Sequence, residues 1–167
     1  TAKGQQWRFT VRPGDGAELG RYQTSPTVTI GNTPPVAGEL SISPLSPMVG
    51  NALVGSYRYS DIDDDPESGT TIRWYSNNSL QSAYNDQKVI PSAATAKGQQ
   101  WHFTVKPKDG TDFGELQTSP VVTIGNTPPV AGELSISPSS PLTDDNLIGI
   151  YRYSDANGNP ESGTEMR

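Results

Sequence analysis

The sequence predicts an all-β fold made of tandem two-sheet sandwich repeats of about 94 residues, one complete and two partial. Three observations carry that prediction. Apolar residues come in short alternating runs, as in Trp101, Phe103 and Val105 set against His102, Thr104 and Lys106, which is the period of a half-buried strand. The chain holds 17 glycines and 15 prolines, so turns punctuate those runs and helices are hard to place. Finally, TAKGQQW at Thr1–Trp7 returns at Thr95–Trp101, and GNTPPVAGELSISP at Gly31–Pro44 returns at Gly125–Pro138, both at an offset of 94. That period exceeds the ~20 to 50 residues of solenoids and propeller blades and suits an independently folding sandwich of ~100.

Boundaries follow from the Asn-Thr-Pro-Pro segments at Asn32 and Asn126, where paired prolines fix φ and hold the preceding residue extended. Residues 1–31 then form the C-terminal part of one repeat, 32–125 a complete repeat, and 126–167 the N-terminal part of the next. Within the complete repeat, strands are expected at 39–43, 53–59, 71–76, 87–91, 100–106 and 120–124, with a short one near 80–82 to make seven. Alternation points Leu40, Ile42, Leu53, Tyr57, Ile72, Trp74, Trp101, Phe103, Val105, Val122 and Ile124 inward. The copies support that facing: Arg8/His102, Arg12/Lys106, Thr27/Val121 and Thr71/Glu165 fall on outward positions, while the inward pair Ile72/Met166 stays apolar. At ~1.5 to 3 kcal/mol per buried large side chain, such a core supports a domain of this size.

Composition excludes several functions. A net charge of -6 with dispersed lysines and arginines leaves no basic stripe for nucleic acid. Low aliphatic content raises disorder as an alternative, but ordered alternation and modest net charge oppose it. There is no cysteine, hence no disulfide or thiolate metal site. No apolar run approaches the ~20 residues of a membrane-spanning helix. Because the first residues align with the middle of a repeat, the natural N-terminus is expected to lie outside this sequence.

With the strands placed, the run NTPPVAGELSISP, then DIDDDPESGTTIRWYSNN, KGQQWHFTVKPKDG and SPVVTIG resembles the tandem immunoglobulin-like repeats, related to PKD and cadherin-like domains, of large bacterial and archaeal surface proteins. Its specific parts are Trp74, the Gly98-x-x-Trp101 pattern and the Pro107-x-Asp109-Gly110 turn. The resemblance implies seven-stranded immunoglobulin-like sandwiches serving in stalks, adhesins, sheaths or filaments at the cell surface or outside the cell, and it implies no enzymatic activity.

Two acidic loops are the candidate sites. Asp61, Asp63, Asp65 and Glu67 place carboxylates at alternate positions, where a turn can converge them on calcium, a cation that takes six to eight oxygens. The second copy, Asp155, Asn157, Asn159 and Glu161, keeps oxygen ligands with fewer charges. A solvated polar turn explains the same residues, since Asp, Asn, Gly and Pro favour turns on their own account. No cofactor is required, and calcium is the one the residues suggest. Trp7, Trp74 and Trp101 read as core, Tyr22, Tyr75 and Tyr84 as surface groups able to contact carbohydrate, and His102 as a surface residue. Asn77-Asn78-Ser79 is a glycosylation sequon at Asn77. No nucleophile and base set or phosphate-cradling loop is present.

The sequence therefore predicts a non-catalytic structural array, a filament, sheath or stalk, whose partners are copies of itself. The alternative is a calcium-dependent adhesin or a carbohydrate-binding accessory module. The partial repeats at 1–31 and 126–167 are each expected to be completed, either by a longer chain or by a neighbouring one.

Overall fold

In the computed structural model, which describes residues 1–167, the two strands with the clearest alternation occupy the residues expected: β7 (Thr71–Ser76) and β10 (Gln100–Lys106). The chain is all-β with no α-helix, and no helix is long and apolar enough to cross a membrane. Four two-residue strands come first, β1 (Gln6–Trp7), β2 (Thr10–Val11), β3 (Gln23–Thr24) and β4 (Val28–Thr29), paired β1 with β4 and β2 with β3. A three-stranded sheet follows in the order β5 (Val36–Ser43), β6 (Leu53–Ser60), β9 (Val89–Ile90). A five-stranded sheet runs β11 (Gln117–Thr118), β10, β7, β8 (Ser79–Leu80), with β12 (Val122–Thr123) also on β10. Last, β13 (Val130–Ser137) pairs with β14 (Ile148–Ser154).

Several elements differ from the sequence expectation for local reasons. β5 starts at Val36, straight after Pro34-Pro35, and Glu39 takes a positive φ of 54°, which resets the alternation and leaves Leu40 only half-buried. β9 and β12 are shorter than expected, each flanked by a proline, Pro91 and Pro120, that cannot donate to a ladder. The short strand expected near 80–82 is β8 at Ser79–Leu80, followed by a single 3-10 turn at Ser82–Tyr84, and β11 (Gln117–Thr118) was not expected, so residues 32–125 hold eight strands where seven were expected. The hairpin from β7 to β8 turns at Asn77 and Asn78 with φ of 49° and 64°, the left-handed pair that a tight hairpin requires. Thr104, expected outward, is buried, since β10 is flanked by β7 on one side and by β11 and β12 on the other. Tyr57 is half-buried, and Ile90 and Ala37 join the buried set.

The residues fall into two compact units. The first holds Thr1–Glu39, Tyr57–Thr71 and Val105–Gln117, and the second Leu40–Ser56, Ile72–Thr104 and Thr118–Arg167. In the second, Ile42, Leu53 and Ile90 of one sheet are buried together with Ile72, Trp74, Trp101, Phe103 and Val122 of the other, and with Ile124. Trp74 meets Phe103 at a centroid distance of 4.9 Å and Trp101 edge-on at 6.4 Å, geometries that suit the aromatic quadrupole. Its indole N–H donates to the Gln87 carbonyl at 2.9 Å, so no donor is stranded. Gly55 on β6 lets the facing rings come close: a Cβ there would lie 2.8 Å from the Trp74 ring and 3.0 Å from Phe103.

Local structure recurs with the 94-residue offset of the sequence. Gln6 and Trp7 pair with Thr29 and Val28 as Gln100 and Trp101 pair with Thr123 and Val122. The Ser25 hydroxyl accepts from the Phe9 N–H at 3.1 Å as Ser119 does from Phe103 at 3.0 Å. Arg58 pairs with Glu39 at 3.3 Å, Arg152 with Glu133 at 3.2 Å, and Glu133 repeats the positive φ of Glu39 at 52°.

Candidate metal centre

The acidic loop begins where β6 ends. Asp61 Oδ1 accepts the backbone N–H groups of Asp63 at 2.7 Å and Asp65 at 3.3 Å, an Asx turn that folds the chain back on its first carboxylate. Asp64 takes a positive φ of 61° to complete the reversal. Alternate spacing then becomes convergence: one carboxylate oxygen from each of Asp61, Asp63 and Asp65 lies within 4.8 Å of the others, and all three residues are half-buried. Calcium–oxygen distances of ~2.3 to 2.6 Å put opposed ligands about 5 Å apart, so this spacing is of the right size. Asp61 Oδ2 is buried and has no hydrogen-bond partner, an acceptor with nothing to accept from. The donor set therefore fits a hard cation.

Residues distant in sequence tie this loop down. The Thr33 N–H, in the Asn-Thr-Pro-Pro segment, donates to Asp63 Oδ2 at 2.7 Å, and the Lys3 ammonium donates to Asp65 Oδ2 at 2.6 Å. That bond, with Asp65, Asp109 and Asp63 adding attraction, holds the Lys3 ammonium pKa above its ordinary value. Asn32 Nδ2 bridges Asp109 Oδ2 at 2.7 Å and Asp112 Oδ2 at 2.8 Å, while Asn32 Oδ1 is buried without a partner. Asp109 also accepts from the backbone of Thr111 at 2.6 Å and Asp112 at 2.7 Å. The Asn32 bond, with these two, pulls the Asp109 carboxyl down to about 2. Lys3, Asn32, Thr33, Asp109 and Asp112 were not candidates from sequence. The repeated Asn-Thr-Pro-Pro and the Pro107-x-Asp109-Gly110 turn were their only signal, read there as linker and family motif.

Glu67 is not brought to the cluster: its Oε1 accepts the Tyr57 hydroxyl at 2.7 Å. Burial first, then that carboxylate, raises the Tyr57 phenol pKa. Tyr59 donates instead to the Asp65 carbonyl at 3.1 Å.

The second loop copies the scaffold and changes the ligands. Asp155 Oδ1 accepts from the Asn157 N–H at 2.8 Å and the Asn159 N–H at 3.0 Å, Tyr153 donates to the Asn159 carbonyl at 3.1 Å, and Tyr151 donates to Glu161. The Thr127 N–H donates to Asn157 Oδ1 at 3.0 Å. That bond fixes which way the amide points, and its Nδ2 is buried without an acceptor. A buried N–H where the first loop has a carboxylate oxygen opposes a cation, so Asp155, Asn157, Asn159 and Glu161 do not fit calcium.

No protein-family profile, curated protein or solved structure matches the chain. The remaining sequence candidates are placed as follows. Asn77 is exposed at the β7–β8 hairpin, with its Oδ1 accepting the Gln100 N–H at 3.0 Å. Tyr22 is exposed with Arg12 over its ring, Tyr84 is half-buried with its ring 6.5 Å from Trp101, and Tyr75 stacks on His102 at 5.0 Å, both half-buried. Trp74 and Trp101 are core as expected, whereas Trp7 is exposed because residues 1–31 bring only two short ladders and no second sheet over it.

Proposed function

We propose that the chain is a run of immunoglobulin-like sandwich repeats acting as a non-catalytic structural element of an extracellular filament, sheath or cell-surface stalk. The observation that carries this reading is the recurrence, 94 residues apart, of ladder registers, turn geometries and ion pairs together with the sequence. An enzyme concentrates unusual chemistry in one place, whereas here the conserved geometry is structural and the single histidine is spent on a stack with Tyr75. The Asn-Thr-Pro-Pro segments also support a stiff array, because each is anchored by its threonine N–H to the acidic loop of the repeat it introduces. Electron microscopy of native material tests the reading: long ordered polymers are expected, and scattered monomers would overturn it.

A second reading, a calcium-dependent adhesin, is favoured by one observation, the convergence of Asp61, Asp63 and Asp65 beside the unpartnered Asp61 oxygen. Calorimetric titration of calcium into the chain decides it, with one site expected and none in Asp61→Asn.

A further inference from the structure

We propose that Thr127 locks the angle between consecutive repeats, holding the repeat of residues 32–125 with its side chain and the repeat that follows with its backbone. The proposal rests on the structural-array reading and adds to it the residue that makes the joint stiff.

A chain passing from one repeat to the next can swing wherever its φ and ψ are soft. Pro128 and Pro129 have fixed φ, and Pro128 holds Thr127 extended, so the remaining freedom lies in Gly125, Asn126 and Thr127. Those three residues are where the bonds fall. The Gly125 N–H donates to the Pro47 carbonyl at 2.7 Å and its carbonyl accepts the Val49 N–H at 3.3 Å, a short parallel bridge that clamps the most pliable residue of the segment. Asn126 Oδ1 accepts from Asn159 Nδ2 at 3.4 Å. Thr127 reaches both ways. Its N–H donates to Asn157 Oδ1 at 3.0 Å in the acidic loop ahead, and its hydroxyl donates to the Val49 carbonyl at 2.7 Å in the repeat behind. Thr127 is half-buried between the exposed Asn126 and Pro128, so both bonds are partly shielded from water.

The loop that receives the hydroxyl is closed on itself. Between β5 and β6, the Met48 N–H donates to Asn51 Oδ1 at 3.0 Å, the Asn51 N–H donates to the Met48 carbonyl at 3.0 Å, and Gly50 takes a φ of 91°. That turn fixes the Val49 carbonyl. On the donor side, a β-branched side chain has few χ1 rotamers, so a threonine held by its backbone places its hydroxyl at little entropic cost. The forward tie has a precedent inside the complete repeat, where the Thr33 N–H makes the same bond to Asp63 Oδ2 at 2.7 Å. The acceptor differs, Asp in one copy and Asn in the other, and the oxygen is what is kept.

The chain has no cysteine, so introduced pairs can be spin-labelled cleanly. Pulsed electron paramagnetic resonance on the full chain reads the joint between Ser79→Cys and Ser135→Cys, and the interior of one repeat between Ser79→Cys and Thr123→Cys, all at exposed positions. With Thr127 intact, the joint pair should give one narrow distance peak. Thr127→Val keeps the shape and removes the hydroxyl, and Asn157→Ala removes the forward acceptor. Each should lose the narrow joint peak and keep the narrow peak within the repeat. The proposal is overturned by a joint already broad with Thr127 intact, or by either variant with a joint as narrow as before. Loss of the within-repeat peak in Thr127→Val would overturn it too, since the hydroxyl would then serve the repeat's own fold. A broad joint alongside long ordered native polymers would sink the lock while leaving the structural reading intact.

Discussion

Phe103 and Phe9 sit in nearly the same heptapeptide, make the same hydrogen bonds to a Ser-Pro pair, and differ only in what lies over them. One is 1% exposed and the other 68%. The comparison separates two things often treated together. Local sequence and ladder register determine the conformation of the strand, whereas burial depends on whether a second sheet is there to receive the side chain. The same contrast holds between Ile42 and Ile136.

The largest expected effect breaks that comparison at its aromatic centre. Trp101→Ala should destabilise the chain by about 3 to 5 kcal/mol, the cost of a large core truncation, while the equivalent Trp7→Ala should stay within about 0.5 kcal/mol in the monomer. Urea melts of both variants, at concentrations too low for association, give the two values. Equal losses would show that Trp7 is covered after all.

A second pair sharpens the packing difference. Gly55→Ala puts a methyl against the Trp74 and Phe103 rings and should cost about 1 to 3 kcal/mol as overpacking. Gly149→Ala meets only the Met166 methyl, the end of a flexible side chain, and should be nearly neutral. Thermal denaturation distinguishes them.

A smaller effect concerns acid. Asn32 is the largest cause of the low Asp109 pKa of about 2, against an ordinary value near 3.8. A carboxyl depressed in the folded state contributes stability above its unfolded pKa, and that stability is lost as pH falls through the folded value. Asn32→Ala should therefore destabilise at pH 7, with the difference from wild type shrinking between about pH 4 and about pH 2. A difference that persists unchanged at pH 2 would mean Asp109 is not its source.

Much of this was legible in the sequence. β7 and β10 follow from strict alternation, and nine of the eleven residues expected inward are buried. The two exceptions have local causes, the positive φ at Glu39 ahead of Leu40 and the bond drawing the Tyr57 hydroxyl out to Glu67. Convergence of Asp61, Asp63 and Asp65 was legible too, because an Asx turn needs only neighbours. The bonds of Lys3 to Asp65 and of the Thr33 N–H to Asp63 were not, since they join residues 62 and 30 positions apart and no periodicity encodes them. Nor does spacing reveal that the Thr127 N–H would turn the Asn157 amide to present a donor.

The last comparison is between the two acidic loops, and its effect is the smallest at neutral pH. Both loops fold around one aspartate that caps the backbone two and four residues on, so the scaffold is shared and the ligands alone differ. The first offers three carboxylates within 4.8 Å, and the second offers one carboxylate and an amide whose buried N–H faces the wrong way. Ligands that bind only the folded state stabilise it by mass action, and extracellular calcium modules have dissociation constants of ~10⁻⁴ to 10⁻³ M, so ~1 mM calcium should add about 0.4 to 1.4 kcal/mol. Asp63→Asn should abolish the gain. Asn157→Asp with Asn159→Asp should create a second increment of similar size, because it restores the carboxylates on an existing frame. Lys3→Met should enlarge the first by freeing Asp65 from its ammonium. Melts with chelator and with millimolar calcium read all three variants. Identical wild-type melts in the two conditions would leave Asp61, Asp63 and Asp65 as a turn whose charges are met by Lys3, Thr33 and water alone.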